Sequence, residues 1–136
     1  MTLVDALDTL YLLENYTEFD RAVAEVAVKV DLALNRNVSV FETNIRILGG
    51  LISAHIFATT REELRAAAAG AAGGVEGGGA KGGGGPRYSG AMLEMAVDLG
   101  ERLLPAFDTP TGIPYGTVNL LHGVPPGETT VTSLAG

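Results

Sequence analysis

The amino-acid sequence predicts an all-α fold of about four helices, with a glycine-rich insert and a long C-terminal loop. Four stretches carry apolar residues at intervals of three and four, the spacing that places side chains on one face of a helix. Between the third and fourth stretch, residues 70–86 consist mostly of alanine and glycine. From Pro105 onward, recurring prolines and glycines forbid a long helix, and a loop of this length usually has a function.

The first helix is predicted over residues 2–14, where Leu3, Leu7 and Leu10 share one face. Asp5 and Asp8 lie together on another side of it, inside the apolar run LVDALDTLYLL. Two interpretations stay open. Acidic residues are preferred in a first turn because of the helix dipole. Carboxylates in apolar surroundings also need partners or a shifted pKa, which indicates a polar network or a functional site.

The second helix is predicted to begin near Thr17, because Thr17 or a neighbour can cap it with a side-chain oxygen. Glu18 and Asp20 then occupy its first turn. We assign this helix a packing role only, and its apolar face consists of Phe19, Val23, Val26 and Val30.

The third helix is predicted within NVSVFETNIRILGGLISAH at residues 37–55, with Asn37 or Ser39 introducing it. We expect it to end near Thr59 and Thr60, before a separate helical piece with the sequence REELRAAAA. The spacing predicts a core face made of Phe41, Ile45, Leu48 and Ile52.

Glu42 and Arg46 form the main candidate site, because residues four apart leave the same face of a helix. Gly49 and Gly50 lie beneath them and allow a second backbone or a ligand to approach closely. A carboxyl group on an apolar helix, next to a guanidinium, can be tuned toward a general acid. The alternative is an ordinary intrahelical salt bridge, and the residues by themselves favour that alternative.

The fourth helix is predicted to be capped by Ser89 and ended by Pro105. The preceding segment, 70–86, is read as a flexible insertion. It is not a phosphate-binding loop, because Lys81 is followed by Gly82 where a serine or threonine is needed. The apolar face of the fourth helix consists of Met92, Met95, Leu99 and Leu103.

Composition excludes several classes of function. The net charge of −7 and the pI near 4.7 argue against electrostatic binding of nucleic acid. Because the chain has no cysteine, it can form neither disulfides nor a thiolate metal site. No apolar run is long enough to span a bilayer. The N-terminus is a poor signal peptide, so any targeting segment is expected outside this sequence.

Two asparagines and two histidines complete the polar candidates. Asn15 and Asn37 each begin a glycosylation sequon, and Asn37 is expected to serve a turn rather than carry a glycan. His55 is expected to be a hydrogen-bonded core histidine, and His122 has no partner spacing for a metal site.

Three motifs resemble those of one enzyme family. VSVFETNIRILGGLISAH, LVDALDTLYLL and LPAFDTPTGIPYGTVNLLHGVPPGETTVTSLAG are similar to motifs of glycoside hydrolase family 47, the class I α-mannosidases. They are most similar to its ER degradation-enhancing α-mannosidase-like (EDEM) branch. The resemblance implies an (α/α)7 barrel of helical hairpins. Residues 1–136 are then expected to be an incomplete part of the catalytic domain, roughly its first third.

The resemblance also implies a function. It suggests an α-1,2-mannosidase that trims mannose from N-glycans of misfolded glycoproteins in the lumen of the endoplasmic reticulum (ER). The alternative is a non-catalytic glycan-binding or adaptor protein on the same fold. The remaining helical hairpins of the domain are expected as partners, and the piece by itself is expected to be inactive. A truncated chain with exposed apolar faces is a third possibility.

Site residues follow from the same resemblance. Glu42 of FETNIR matches the family's acid, Arg46 and Asp5 match pocket residues, and Asp8 is a weaker fourth member. The family's other carboxylates lie in later helices, and its calcium ion has its protein contact beyond this chain. Ser133 stands where the EDEM branch commonly has cysteine, which removes that thiol.

Overall fold

The computed structural model describes residues 2–71 and 87–130, and these form helices with one small sheet. The third helix of the chain, called the long helix below, is continuous from Val40 to Ala71 and is π-helical near its N-terminal end. The elements are α1 (Thr2–Leu12), α2 (Tyr16–Lys29), β1 (Asn37–Ser39), α3 (Val40–Glu42), a π-helical segment (Thr43–Leu48), α4 (Gly49–Ala71), α5 (Ala91–Leu103), a 3₁₀ helix (Leu104–Phe107) and β2 (Thr117–Asn119).

Helices α1 and α2 follow the predicted pattern. The cap of α2 is Asn15, whose side-chain oxygen accepts the Glu18 N–H at 3.5 Å, rather than Thr17 itself. The predicted apolar positions of α2 are buried, except that Val30 is half-buried at the helix end. The buried side chains contributed by the two helices are Val4, Leu7, Phe19, Ala22, Val23 and Val26.

The long helix begins where the sequence predicts and continues further. Ser39 caps it by accepting the Glu42 N–H at 3.3 Å. The predicted end near Thr59 and Thr60 is wrong, because α4 continues to Ala71. The low helix propensity of the two threonines is a weak preference that tertiary contacts override, and Arg61, directly after them, forms an ion pair with Asp20 of α2.

The predicted core face of the long helix is wrong by one residue. Phe41, Ile45 and Ile52 expose 41%, 53% and 42% of their surface. Only Leu48 of the four predicted residues packs against the core, and it is half-buried. Two apolar stripes run side by side along this helix, and both satisfy the helical period, so spacing alone cannot choose between them. The buried stripe consists of Val40, Thr43, Ile47, Leu51, Ala54 and Ala58.

Helix α5 packs against α4 through the predicted positions. Met92, Leu99 and Leu103 are buried and Met95 is half-buried. The cap is Gly90 with a positive φ of 90°, so the predicted cap at Ser89 is wrong. A hydroxyl from the preceding residues takes over the capping role, because Tyr88 Oη accepts the Met92 N–H at 3.1 Å.

The two-stranded sheet was not predicted from the sequence. Strands β1 and β2 pair antiparallel, with Asn37 opposite Asn119 and Ser39 opposite Thr117. Asn119 is 9% exposed, and its amide donates to Asn37 Oδ1 at 2.8 Å and Asn35 Oδ1 at 3.0 Å. This pairing holds the C-terminal loop against the start of the long helix.

Two sequence predictions fall mostly outside the described residues. Gly70 and Ala71 end α4, and the rest of the predicted insertion at 70–86 is not described, nor is Ser133. Within the described ranges, none of the helices combines the length and hydrophobicity needed to span a bilayer.

Candidate functional site

The candidate site lies along the contact between α1 and the long helix. The helices meet closely at Gly50, where a Cβ atom would lie 2.8 Å from Val4 Cγ1. Gly49 and Gly50 predicted that a second backbone or a ligand could come close to this helix. The structure shows that helix α1 does so, at Gly50. The contacts Asp5–Arg46, Asp8–Ser53 and Tyr11–Phe57 follow one another in order, so the two helices run in the same direction.

Arg46 is shared unequally between two carboxylates. Its Nη2 donates to Asp5 Oδ2 at 2.7 Å, while its Nη1 lies 3.9 Å from Glu42 Oε1. The side chains of Asp5, Arg46 and Glu42 are 32%, 41% and 56% exposed, so the group opens to solvent. The close ion pair of Arg46 is therefore the interhelical one with Asp5, and its intrahelical contact with Glu42 is the longer of the two.

The electrostatics of the pair follow from this geometry. The hydrogen bond from Arg46 holds the pKa of Asp5 below its usual value, against an opposing effect of partial burial. The same bond raises the pKa of Arg46, so the guanidinium stays charged. The site therefore presents a fixed cation beside the Glu42 carboxyl group.

The π-helical segment Thr43–Leu48 loosens the alignment of Glu42 and Arg46 but leaves them within 3.9 Å of each other. Its i→i+5 hydrogen bonds widen the turn, so a residue four positions later no longer lies directly above the first. Within the described residues, the Glu42 carboxylate accepts no hydrogen bond from another side chain. Such a carboxyl group can exchange a proton with a ligand or accept hydrogen bonds from hydroxyl groups.

Asp8 lies further along the same contact. It accepts a hydrogen bond from Ser53 Oγ at 2.8 Å, and both residues are half-buried. The structure therefore brings Asp5, Arg46 and Glu42 together and gives Asp8 a separate partner. Ser53 was missed by the sequence reasoning, although it follows Arg46 by seven residues and so lies on the same helix face.

Two of the remaining polar candidates, His55 and Asn37, have side-chain partners in the fold. His55 Nδ1 lies 3.0 Å from Tyr88 Oη, which confirms the expected hydrogen-bonded histidine. Asn37 lies in β1 rather than in a turn, and its side chain is bonded to Asn119. His122 is exposed.

A cavity of about 460 Å³ lies away from this site, between α2, α4 and the start of α5. Its walls are mainly apolar and include Phe19, Val23 and Ala58, with none of the four predicted site residues. Of the candidate residues, Asp5, Arg46 and Glu42 are open to solvent, and Asp8 is half-buried. Among residues 2–71 and 87–130, no group of three histidine, aspartate or glutamate side chains is arranged to hold a metal ion.

Comparison with known proteins identifies the class to which this helical domain belongs. The sequence profile of Glycosyl hydrolase family 47 matches residues 1–136, and the chain belongs to this family. The chain is also 49% identical over 137 residues to human ER degradation-enhancing alpha-mannosidase-like protein 2, covering 100% of the chain and 21% of that protein. The predicted family and its EDEM branch are thereby confirmed.

Two further relatives are named as mannosidases. The chain is 43% identical to Alpha-mannosidase I MNS4 of Arabidopsis thaliana over 136 residues, covering 100% of the chain and 19% of that protein. It is 38% identical to Mannosyl-oligosaccharide 1,2-alpha-mannosidase IB of Mus musculus over 123 residues, covering 90% of the chain and 15% of that protein. The chain spans about a fifth or less of the length of these relatives. The described helices agree with an all-α fragment of the family fold.

Proposed function

We propose that the protein carrying this chain is an inverting α-1,2-mannosidase that trims mannose from N-glycans of misfolded glycoproteins for ER-associated degradation. The names of the relatives support this proposal: the human protein is described as ER degradation-enhancing, and the mouse protein as a mannosyl-oligosaccharide 1,2-alpha-mannosidase. The proposed location is the ER lumen. In this proposal Glu42 is the general acid.

The observation that carries the proposal is the state of the Glu42 carboxyl group. It is 56% exposed and 3.9 Å from the nearest guanidinium nitrogen, because Asp5 takes the closer contact with Arg46. A general acid must reach the oxygen that it protonates, and it must not be held in its charged form by a close ion pair. Glu42 satisfies both conditions on this surface.

The proposed reaction cleaves the bond between the anomeric carbon and the glycosidic oxygen. Glu42 gives its proton to that oxygen, and the leaving sugar departs as an alcohol. A second carboxylate removes a proton from the water that attacks the opposite face, which requires about 6.5–9.5 Å between the two carboxyl groups. Asp5 and Asp8 are each hydrogen-bonded to a neighbour, so we assign the base to helical hairpins beyond these residues.

The other site residues have binding roles in this proposal. Arg46 and Asp5 form a charged pair that offers donors and acceptors to sugar hydroxyls, and Asp8 is a weaker member of the same pocket. The calcium ion implied by the family would bind sugar hydroxyls, but no described cluster holds it, and no step here depends on it.

The exposed apolar stripe of the long helix has a place in the same proposal. Phe41, Ile45, Ile52 and Ile56 expose between 41% and 55% of their surface along one helix. A helix that is apolar on more than one side is usually buried on more than one side. We assign this stripe to contacts with the remaining helical hairpins of the domain.

The test is release of mannose from a high-mannose N-glycan by the full-length protein. Glu42→Gln should reduce release by about 10²–10⁴-fold while glycan binding is retained, because only the proton donor is lost. Glu63→Gln is the matched control, since Glu63 is an exposed glutamate on the same helix, and its activity should equal wild type. Full activity of Glu42→Gln would contradict the assignment. If wild type binds the glycan and releases no mannose, the non-catalytic glycan-binding alternative is correct.

A further inference from the structure

We propose that Asp5 is a positioning residue that holds the Arg46 guanidinium on the α1 side and prevents it from closing on Glu42. This inference rests on the proposed function, in which Glu42 is the acid. It gives Asp5 a role that acts through Arg46 on the proton donor, in addition to any contact with the sugar.

The competition for Arg46 is visible in the distances. Glutamate and arginine four residues apart on an α-helix can form an ion pair, and the wider π-helical turn between Glu42 and Arg46 still leaves them within reach of each other. Here the intrahelical separation is 3.9 Å, whereas the interhelical hydrogen bond to Asp5 is 2.7 Å. The shorter contact joins residues 41 positions apart in the chain, so only the packing of α1 provides it.

The backbone of α1 is fixed close to the site. Val4, the neighbour of Asp5, is 3% exposed and packs on Gly50. Leu7 is completely buried on the same helix. Asp5 therefore cannot follow Arg46 if the arginine turns toward Glu42, and the geometry opposes that turn.

The consequence concerns the proton on Glu42. A guanidinium in hydrogen-bond contact favours the charged form of a carboxyl group, and a general acid must keep its protonated form at the working pH. If Asp5 were absent, Arg46 would be free to donate directly to Glu42. Activity that depends on the acid form of Glu42 would then be lost at a lower pH than in wild type.

Other charges near Glu42 are accounted for on each packed element. On α1, Asp5 is bound to Arg46 and Asp8 is bound to Ser53. On α5, which also contacts the π-helical segment, Arg102 is held by Asp98 at 3.0 Å. Arg46 is the only cation in ion-pair range of Glu42 among the described residues. The charged residues of these two helices are Asp5, Asp8, Glu94, Asp98, Glu101 and Arg102.

The experiment uses the full-length protein with Asp5→Ala, which removes the acceptor, and Asp5→Asn, which keeps an acceptor oxygen without the charge. The alkaline limb of the kcat profile should move down by about one pH unit in Asp5→Ala and by less in Asp5→Asn. Adding Arg46→Gln to Asp5→Ala should return the limb to its wild-type position, even if KM rises. In a crystal structure of Asp5→Ala, Arg46 should lie within about 2.7–2.9 Å of Glu42.

Asp20→Ala is the matched control, because Asp20 also joins two helices through an ion pair, with Arg61 at 3.0 Å. Arg61 lies fifteen residues beyond Arg46, or about 22 Å along the helix, so the limb should not move. An unchanged limb in Asp5→Ala, an equal shift in Asp20→Ala, or an Arg46–Glu42 distance that stays at 3.9 Å would each overturn the inference. If neither wild type nor any variant releases mannose, the proposed function fails, and the crystal structure of Asp5→Ala still decides the positioning role.

Discussion

Gly49 and Gly50 are neighbours in one helix, and we predict opposite responses to the same added methyl group. At Gly50 a Cβ would lie 2.8 Å from Val4 Cγ1 and 3.6 Å from the Val4 carbonyl oxygen. At Gly49 the nearest atom is the Asn44 carbonyl oxygen at 3.6 Å, an ordinary contact. Only Gly50 is therefore required by the approach of α1.

The magnitudes follow from two opposing effects. Alanine is better than glycine inside a helix by about 1 kcal/mol, so Gly49→Ala should stabilise the fold by about 0.5–1 kcal/mol. At Gly50 the same gain is opposed by overpacking, which costs about 1–3 kcal/mol. Val4 is buried and stiff about χ1, so it cannot turn away. We expect Gly50→Ala to be destabilising by about 1 kcal/mol, which separates the two variants by about 2 kcal/mol.

The assay is urea unfolding followed by far-ultraviolet circular dichroism, with both variants in the same protein. A difference of about 2 kcal/mol corresponds to about 1 M between their midpoints. Equal midpoints, or a more stable Gly50→Ala, would refute the argument that α1 needs the glycine for its close approach.

Two other predictions concern the sheet and the ion pair. Asn119→Ala should lower the free energy of unfolding by about 2–3 kcal/mol, because it leaves the Leu121 and His122 N–H groups, now 3.0 Å from Asn119 Oδ1, without their acceptor. Urea unfolding checks this with Asn44→Ala, an exposed helical asparagine, as control; equal stabilities of the two variants would contradict it. Because Arg46 lowers the pKa of Asp5 in the fold, their pair stabilises the protein above the unfolded pKa of about 3.9, and this contribution is lost as the pH falls through the lowered pKa. The free energy of unfolding, measured from about pH 6 to about pH 2, should therefore decline less steeply in Asp5→Asn than in wild type. Parallel curves for the two proteins would exclude the ion pair as the cause of the decline.

Local patterns in the sequence predicted most of the helical architecture. The spacing of apolar residues located α1, α2, the long helix and α5, because a helix places residues three and four apart on one face. The Ser39 cap was also predictable, since its hydroxyl contacts a backbone group three residues later. The motifs identified the family, because they match stretches of continuous sequence.

Local patterns were insufficient where two arrangements fit the sequence equally well. The long helix carries two apolar stripes with the same period, and the close contact at Gly50 decides that Ile47 and Leu51, rather than Ile45 and Ile52, face the core. In the same way, Thr59 and Thr60 suggested a helix end, but α4 continues to Ala71, and Arg61 forms an ion pair with Asp20 of α2.

The candidate site was also predicted only in part from the sequence. The sequence by itself determined that Glu42 and Arg46 stand four residues apart and that Asp5 belongs to another helix. Tertiary structure decided that Arg46 pairs with Asp5 across 41 residues, and that Asn119 pairs with Asn37 across 82. The reason is physical: local spacing restricts the neighbours within a helix, whereas the partner of a charged or amide side chain across the fold depends on how the elements pack.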